Sequence, residues 1–272
     1  MPERTRQPGQ PPEVFELAGH TVRWLLLNEL SWSDRRVREL VSALGEPQPL
    51  VSYHLGKLRS AGVVVARQSA FDRRDSYYSL DLEHYGRLLA DAGAALHPAL
   101  RLMSPPPVPT RPAGRCPQVL FLCTGNSARS QIAEAWLNEL SDGTVKAFSA
   151  GSRPKPLHAN AIRVMRERGI DISGHRPKHL DTVVRRRFDQ VISLCDRVRE
   201  VCPEFPGDPQ TTHWSIPDPA AEPGGDLDTY PAFQRVATEL ETRVRFLLHR
   251  IGDRPPESEA SSASSKRADA RG

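Results

Sequence analysis

Twelve residues near the middle of the chain, Ser104-Pro-Pro-Pro-Val-Pro-Thr-Arg-Pro-Ala-Gly-Arg115, rule out one continuous core. Proline fixes φ and withholds an amide donor, so such a run forms neither a helix interior nor a central strand. It reads as a stiff extended linker over 104–115. The 272 residues then divide into one domain over 13–103 and another over 116–252, a partition that the length also favours. Residues 1–12 are polar and Pro-rich, and residues 253–272 are rich in Ser, Ala and charge. Both are expected to be disordered tails.

Apolar spacing assigns elements within each domain. Val14 to Leu30 is helical, Ser33 caps a second helix running to about Leu44, and Gly45-Glu-Pro47 breaks the chain. A third helix fits Pro49 to Ala61, where Leu50, Tyr53-His54, Leu55 and Leu58 fall near helical spacing and Gly62 ends the element. Val63 to Ala66 and Tyr77 to Leu80 read as strands around the polar turn Phe71-Asp-Arg-Arg-Asp-Ser76, and Leu82 to Leu102 is helical again. In the second domain, strands at 119–123, 147–149 and within 188–194 alternate with helices at about 130–140, 160–168 and 231–250. That alternation argues for a parallel sheet flanked by helices.

Composition removes several classes of function. No stretch approaches 18 uninterrupted apolar residues, so no membrane span is expected, and the N-terminus lacks the apolar segment of a signal peptide. A cytoplasmic protein follows as the expectation. The net charge of +4 hints at an anionic partner, but residues 1–103 carry 13 Lys and Arg against 12 Asp and Glu. Any nucleic-acid binding must rest on a local patch. The four cysteines, Cys116, Cys123, Cys195 and Cys202, all follow residue 115. In a reducing compartment such thiols serve catalysis, redox chemistry or metal binding rather than structural disulfides.

The chemistry concentrates after the apolar strand Val119-Leu-Phe-Leu-Cys123. The run Cys123-Thr124-Gly125-Asn126-Ser127-Ala128-Arg129-Ser130 lies between that strand and a helix N-terminus. A loop so placed aims backbone N–H groups at a tetrahedral oxyanion. Gly125 is expected to take the unusual dihedrals of the cradle, and Arg129 to grip two anion oxygens with its planar fork. Cys123, ringed by donors, is the candidate nucleophile, and Ser130 can donate to its sulfur. This Cys-x5-Arg-Ser spacing resembles the signature of low-molecular-weight tyrosine phosphatases and of the arsenate reductases that share their fold. Ser149-Ala-Gly151, Asn160-Ala-Ile162, Gly169-Ile-Asp171-Ile-Ser173 with His175, and Phe233-Gln-Arg-Val236 extend the resemblance over nearly all of 116–250.

Two further segments separate the sister activities. Cys195-Asp-Arg-Val-Arg-Glu-Val-Cys202 resembles the redox pair of thioredoxin-coupled arsenate reductases. His213-Trp-Ser-Ile-Pro-Asp218-Pro-Ala220 resembles the loop that brings a general-acid Asp over the anion. The resemblance implies a relay. Cys123 attacks arsenic, Asp218 protonates the departing oxygen, Cys195 attacks the Cys123 sulfur and releases arsenite, and Cys202 then takes over the disulfide for thioredoxin. No bound cofactor or metal is expected, since two thiols at this spacing lack the usual Cys-x2-Cys pairing. Some members of that family hold potassium through Asn, Glu, Ser and Asp. Asn126, Glu134 and Ser149 match three of these, whereas Lys178 occupies the fourth position.

Residues 48–63 of the first domain resemble the recognition helix of ArsR-type winged-helix repressors, through Ser52-Tyr-His54-Leu-Gly-Lys57-Leu-Arg-Ser-Ala-Gly62-Val63 leading into a hairpin. The resemblance implies an operator in double-stranded DNA. Gln48, Ser52, Tyr53, His54 and Lys57 would face the major groove, and Arg67, Arg73 and Arg74 on the wing would reach phosphates. It also implies a homodimer through the first and last helices, 14–30 and 82–102. The fold expected is thus an α+β winged helix-turn-helix followed by an α/β domain of low-molecular-weight phosphatase type. The function expected is a bifunctional regulator and arsenate reductase. The alternatives are a phosphatase, or a regulator whose second domain only senses an oxyanion or redox state.

Overall fold

The computed structural model describes residues 11–97, 100 and 116–252. The 104–115 linker and the 253–272 tail lie outside the described residues, as does most of the 1–12 segment.

The first domain opens with two helices where one was expected, α1 (Glu13–Ala18) and α2 (Thr21–Trp32). The break is local chemistry. The Gly19 amide closes α1 on the Phe15 carbonyl at 2.8 Å, and the His20 ring nitrogen accepts from the Val22 amide at 3.2 Å to start α2. β1 (Arg35–Arg36), α3 (Val37–Leu44), α4 (Gln48–Ser60), β2 (Val64–Gln68), β3 (Ser76–Leu80) and α5 (Leu82–Leu96) follow. The three strands pair antiparallel in the order β1-β3-β2. Leu26, Leu40, Val51, Leu55, Leu58 and Val63 form the core where helices and hairpin meet.

Ser33 does not cap α3. Its hydroxyl donates to the His213 carbonyl of the second domain at 3.2 Å and accepts the His213 amide at 2.9 Å. Arg36 takes the cap position instead, and its amide donates to Glu39 Oε2 at 2.8 Å. A residue that reads as a local helix signal is thereby spent on joining the two domains.

The second domain runs β4 (Gln118–Cys123), α6 (Arg129–Leu140), β5 (Lys146–Gly151), α7 (Ala159–Arg166), β6 (Gln190–Ser193), α8 (Asp196–Glu200), β7 (Gln210–His213) and α9 (Asp226–Gly252). The strand order is β5-β4-β6-β7, all parallel. Val119 to Cys123 of β4 are all buried, as a central parallel strand requires. The fourth strand was not foreseen, because Gln210-Thr-Thr-His213 carries no apolar run. It is an edge strand, where β-branched threonines suffice. α9 begins at Asp226, five residues before the expected start at Pro231.

This order fixes where chemistry can happen. β4 has β5 on one side and β6 on the other, so the loop leaving Cys123 sits at a topological switch point of the sheet. Open parallel sheets bind ligands at that place, beyond the carboxyl ends of the strands. No helix among the described residues is long and apolar enough to cross a membrane.

Candidate functional site

The loop from Cys123 to Ser130 is held by a dense polar scaffold. Cys123 Sγ lies 3.0 Å from Ser130 Oγ and accepts the Asn126 amide at 3.2 Å. The left-handed residue of the cradle is Asn126, with φ of 44°, whereas Gly125 was expected to carry the unusual dihedrals. Asparagine is among the few L residues that adopt this region readily, since its side chain can bond locally. Here Asn126 Nδ2 donates to Ser130 Oγ and to Ser149 Oγ, both at 2.8 Å, and its Oδ1 accepts the Lys178 amide at 2.7 Å.

Gly151 at the end of β5 is the glycine that the loop demands. A Cβ there would stand 2.7 Å from the Thr124 carbonyl, 2.8 Å from the Asn126 amide and 2.9 Å from the Cys123 carbonyl. All three are backbone atoms of the cradle, so none can yield cheaply. Gly151→Ala is expected to cost about 1–3 kcal/mol of stability and to lower turnover at the Cys123 loop. Thermal unfolding and steady-state kinetics check this, and a variant unchanged in both would show that the loop can move aside.

Arg129 is the first residue of α6 and its side chain is buried. It donates to the Ile216 carbonyl at 3.0 Å, and its other terminal nitrogen lies 3.2 Å from Asp218 Oδ2. The loop carrying Asp218 is thus tied to the guanidinium over the same mouth, and the Asp218 side chain stays half exposed. Arginine and carboxylate stand together at the rim, where the one can grip an anion and the other can pass a proton.

The second thiol meets the first loop directly. Thr124 Oγ1 lies 3.2 Å from Cys195 Sγ, and Cys195 is buried at the N-cap of α8. Cys202 lies beyond the last turn of α8, partly buried, and burial pushes its thiol pKa up. All four cysteines are free. Asp196, next to Cys195, carries a buried carboxylate. Burial opposes its charge. Hydrogen bonds from His213 Nε2 at 3.1 Å, the Ala70 amide at 2.7 Å and Ser215 Oγ at 2.9 Å outweigh that and hold its pKa at about 2. Nothing in the sequence marked Asp196 or His213 as partners, because they lie 17 residues apart on different elements.

Lys178 stands where an alkali ion would need a fourth oxygen. Its ammonium lies 3.2 Å from Glu134 Oε2, and Ser149 Oγ donates to the same carboxylate. A cation is therefore already supplied by the chain, and the residues present do not fit a potassium site. Activity is expected to be the same in potassium and in sodium salts. A marked stimulation by potassium in matched initial-rate assays would overturn this.

In the first domain, α4 presents Gln48, Ser52, Tyr53 and Lys57 to solvent, as expected of a recognition helix. The Lys57 ammonium lies 5.7 Å from the Tyr53 ring centroid. His54 does not belong to that face. Val51, His54, Leu55 and Leu58 share the buried side at helical spacing, and the His54 ring lies 4.2 Å from that of His20. Burial lowers its pKa. Arg67, expected on the wing as a phosphate contact, instead forms a 3.5 Å ion pair with Glu239 on α9 and is partly buried there. Arg73 and Arg74 stay exposed on the wing.

Known proteins resemble the chain in both of its domains. Residues 118–256 match the family model described as low molecular weight phosphotyrosine protein phosphatase, and residues 21–65 match that of the bacterial regulatory proteins of the arsR family. An arsenate reductase from Halalkalibacterium halodurans is 36% identical over 127 residues, covering 47% of this chain and 91% of its own. The Bacillus subtilis arsenate reductase is 37% identical over the same length and the same shares of both chains. A solved thioredoxin-dependent arsenate reductase from Corynebacterium glutamicum is 33% identical, covering 51% of this chain and 62% of its own at a TM-score of 0.40. From Gln118 onward the chain therefore belongs to the low molecular weight phosphotyrosine protein phosphatase family, and ahead of that domain it carries a helix-turn-helix of the bacterial arsR family.

Proposed function

We propose that this protein reduces arsenate to arsenite by a three-thiol relay and that its N-terminal module binds operator DNA. The observation that carries the enzymatic reading is the 3.2 Å contact between Thr124 Oγ1 and Cys195 Sγ. A phosphatase needs one thiol in its oxyanion loop. Here a second thiol stands against that loop, and a third follows it seven residues later. The curated relatives that share 36–37% identity over nine-tenths of their own length carry the name arsenate reductase.

In this reading Cys123 attacks arsenic, Arg129 holds the oxyanion and Asp218 protonates the leaving oxygen. Thr124, Gly125, Asn126, Ser127 and Ala128 cradle the anion with their backbone. Cys195 Sγ then attacks Cys123 Sγ. Arsenite leaves with the electron pair of the arsenic–sulfur bond, and a 123–195 disulfide remains. Cys202 attacks Cys195, returns Cys123 as a thiolate, and presents a 195–202 disulfide to thioredoxin, which acts as the external reductant. If 195–202 stayed helical its ends would lie about 10 Å apart, whereas a disulfide needs its Cα atoms within about 7 Å. α8 covers Asp196–Glu200, and the Cys202 amide continues its last turn on the Arg199 carbonyl at 3.5 Å, so in this reading that turn opens when the bond closes.

The test is arsenate-dependent NADPH oxidation with thioredoxin and thioredoxin reductase, run beside hydrolysis of an aryl phosphate. Reduction well above hydrolysis supports the proposal. Hydrolysis alone would return the protein to phosphatase chemistry, for which the Arg129–Asp218 pair is equally suited.

For the N-terminal module, exposed Gln48, Ser52, Tyr53 and Lys57 on α4 with Arg73 and Arg74 on the wing support major-groove binding. A homodimer fits the same reading. Phe15 on α1, Trp24 and Leu25 on α2 and Leu96 at the end of α5 are exposed apolar residues on the helices that would pair. Sedimentation equilibrium is expected to give twice the chain mass, and a monomer at micromolar concentration would reject it.

A further inference from the structure

The segment between Cys195 and Cys202 is also the segment on which the winged-helix domain rests. Three of the five residues of α8 reach across. Asp196 accepts the Ala70 amide of the wing, Arg199 pairs with Glu39 of α3, and Glu200 pairs with Arg36. The wing strand contributes Tyr77, whose buried ring meets the Arg36 guanidinium at 5.1 Å and the Arg199 guanidinium at 5.3 Å. Arg36 also holds Asp75 at the wing turn at 2.9 Å. One short helix thus fixes the wing and the start of α3 together.

We propose that segment 195–202 is a redox-controlled latch between the two domains. Closing the Cys195–Cys202 disulfide unwinds α8, draws Asp196 off the Ala70 amide and Arg199 and Glu200 off Glu39 and Arg36, and loosens the wing turn, while β2 stays held through Arg67 and Glu239. The geometry couples the two events because Cys195 caps α8 and Cys202 lies two residues past it, on a turn closed by the Cys202 amide on the Arg199 carbonyl at 3.5 Å, so drawing the two sulfurs together pulls these turns apart. The winged-helix domain does not strand a charge when the latch opens. Arg36 keeps Asp75, and the Arg36 amide keeps Glu39. Other bridges lie off α8 and keep the domains joined: Arg243 to Asp34, Ser33 to His213, and Arg67 of β2 to Glu239. The wing is one of the elements with which a winged helix grips phosphates, so its loosening is how oxidation in one domain would reach the other.

The inference takes its physiological trigger from the relay proposed above, in which the 123–195 disulfide supplies the oxidising equivalents. Its test does not depend on that relay. In full-length protein carrying Cys116→Ser and Cys123→Ser, only Cys195 and Cys202 can pair. Diamide removes two electrons and two protons from this pair and is itself reduced to the hydrazine. The product is a chain 2 Da lighter, a loss set by the two hydrogens removed. Amide hydrogen exchange is then compared in the dithiol and disulfide forms. Peptides spanning 69–78 and 35–41 are expected to exchange about tenfold faster or more when oxidised. Peptides over β4 should be unchanged, and dithiothreitol should restore protection. Adding Cys202→Ser should abolish the response to diamide. A fully formed disulfide with unaltered exchange in the wing would overturn the latch, and so would failure of the pair to close at all. A closed disulfide with unaltered exchange overturns the latch alone and leaves the relay standing, whereas failure to close would also remove the relay's last step; the arsenate turnover assay above tells the two apart.

Discussion

Cys123→Ser is expected to lower arsenate reduction by about 10⁴-fold or more, the scale on which loss of a covalent nucleophile acts. The hydroxyl would occupy the same place, within reach of Ser130 Oγ and the Asn126 amide. A serine oxygen can neither reach the nucleophilicity of a thiolate nor later accept attack by a second sulfur. Folding should be intact, because the buried volume barely changes. The two other thiols must fail differently if the relay is right. Cys195→Ser should allow the first covalent step and stop before arsenite leaves. Cys202→Ser should release one equivalent of arsenite per chain and accumulate the 123–195 disulfide. Burst kinetics with mass mapping of disulfides reads all three. Steady multiple turnover by the Cys202 variant would sink the relay, whereas turnover by the Cys123 variant would remove the site itself.

The loop was legible because its determinants are contiguous. A buried strand, a Cys-x5-Arg spacing and a helix start occupy about a dozen consecutive positions, and hydrophobic pattern with capping chemistry places each of them. The arrangement of Cys195 against Thr124 was legible only through the family resemblance, since it depends on β6 pairing beside β4. His54 misled because the recognition-helix pattern names the residue while helical periodicity buries it beside Val51, Leu55 and Leu58. Ser33 and Arg67 misled for one shared reason. Each has an ordinary role within its own domain, as a helix cap or a wing cation, and each is engaged instead by the other domain, at His213 and Glu239. Nothing in the spacing of a single sequence announces contacts between residues 170 or more positions apart. The Pro-rich run rightly separated two cores, but it also suggested two bodies tethered by a spacer. The polar seam between them is what the sequence concealed.

That seam makes a quantitative demand on Arg243. Its guanidinium grips both oxygens of Asp34, at 2.9 and 3.3 Å, and also pairs with Glu239 at 3.1 Å. The Asp34 side chain is 4% exposed and accepts one further bond, from the Ser215 amide at 2.7 Å. Arg243→Ala would leave that carboxylate buried with a single donor. Breaking one side of a buried ion pair costs about 3–5 kcal/mol, chiefly through the charge that stays behind without its partner. The loss should fall first on docking, because the pair joins Asp34 of the first domain to Arg243 on α9 of the second. Trp214, whose ring centroid lies 5.7 Å from the Arg243 guanidinium, and Trp32, which lies under Arg250, place native fluorophores at the seam. In urea, a tryptophan transition that reports separation of the domains should move to lower denaturant in Arg243→Ala, ahead of the loss of far-ultraviolet ellipticity. Replacing both partners, as Asp34→Asn with Arg243→Met, should recover most of the loss, since no buried charge is then stranded and the partly exposed Glu239 keeps Arg67. A single variant that unfolds with both probes superimposed on the wild-type curve would mean that the seam holds the domains in place without contributing to their stability.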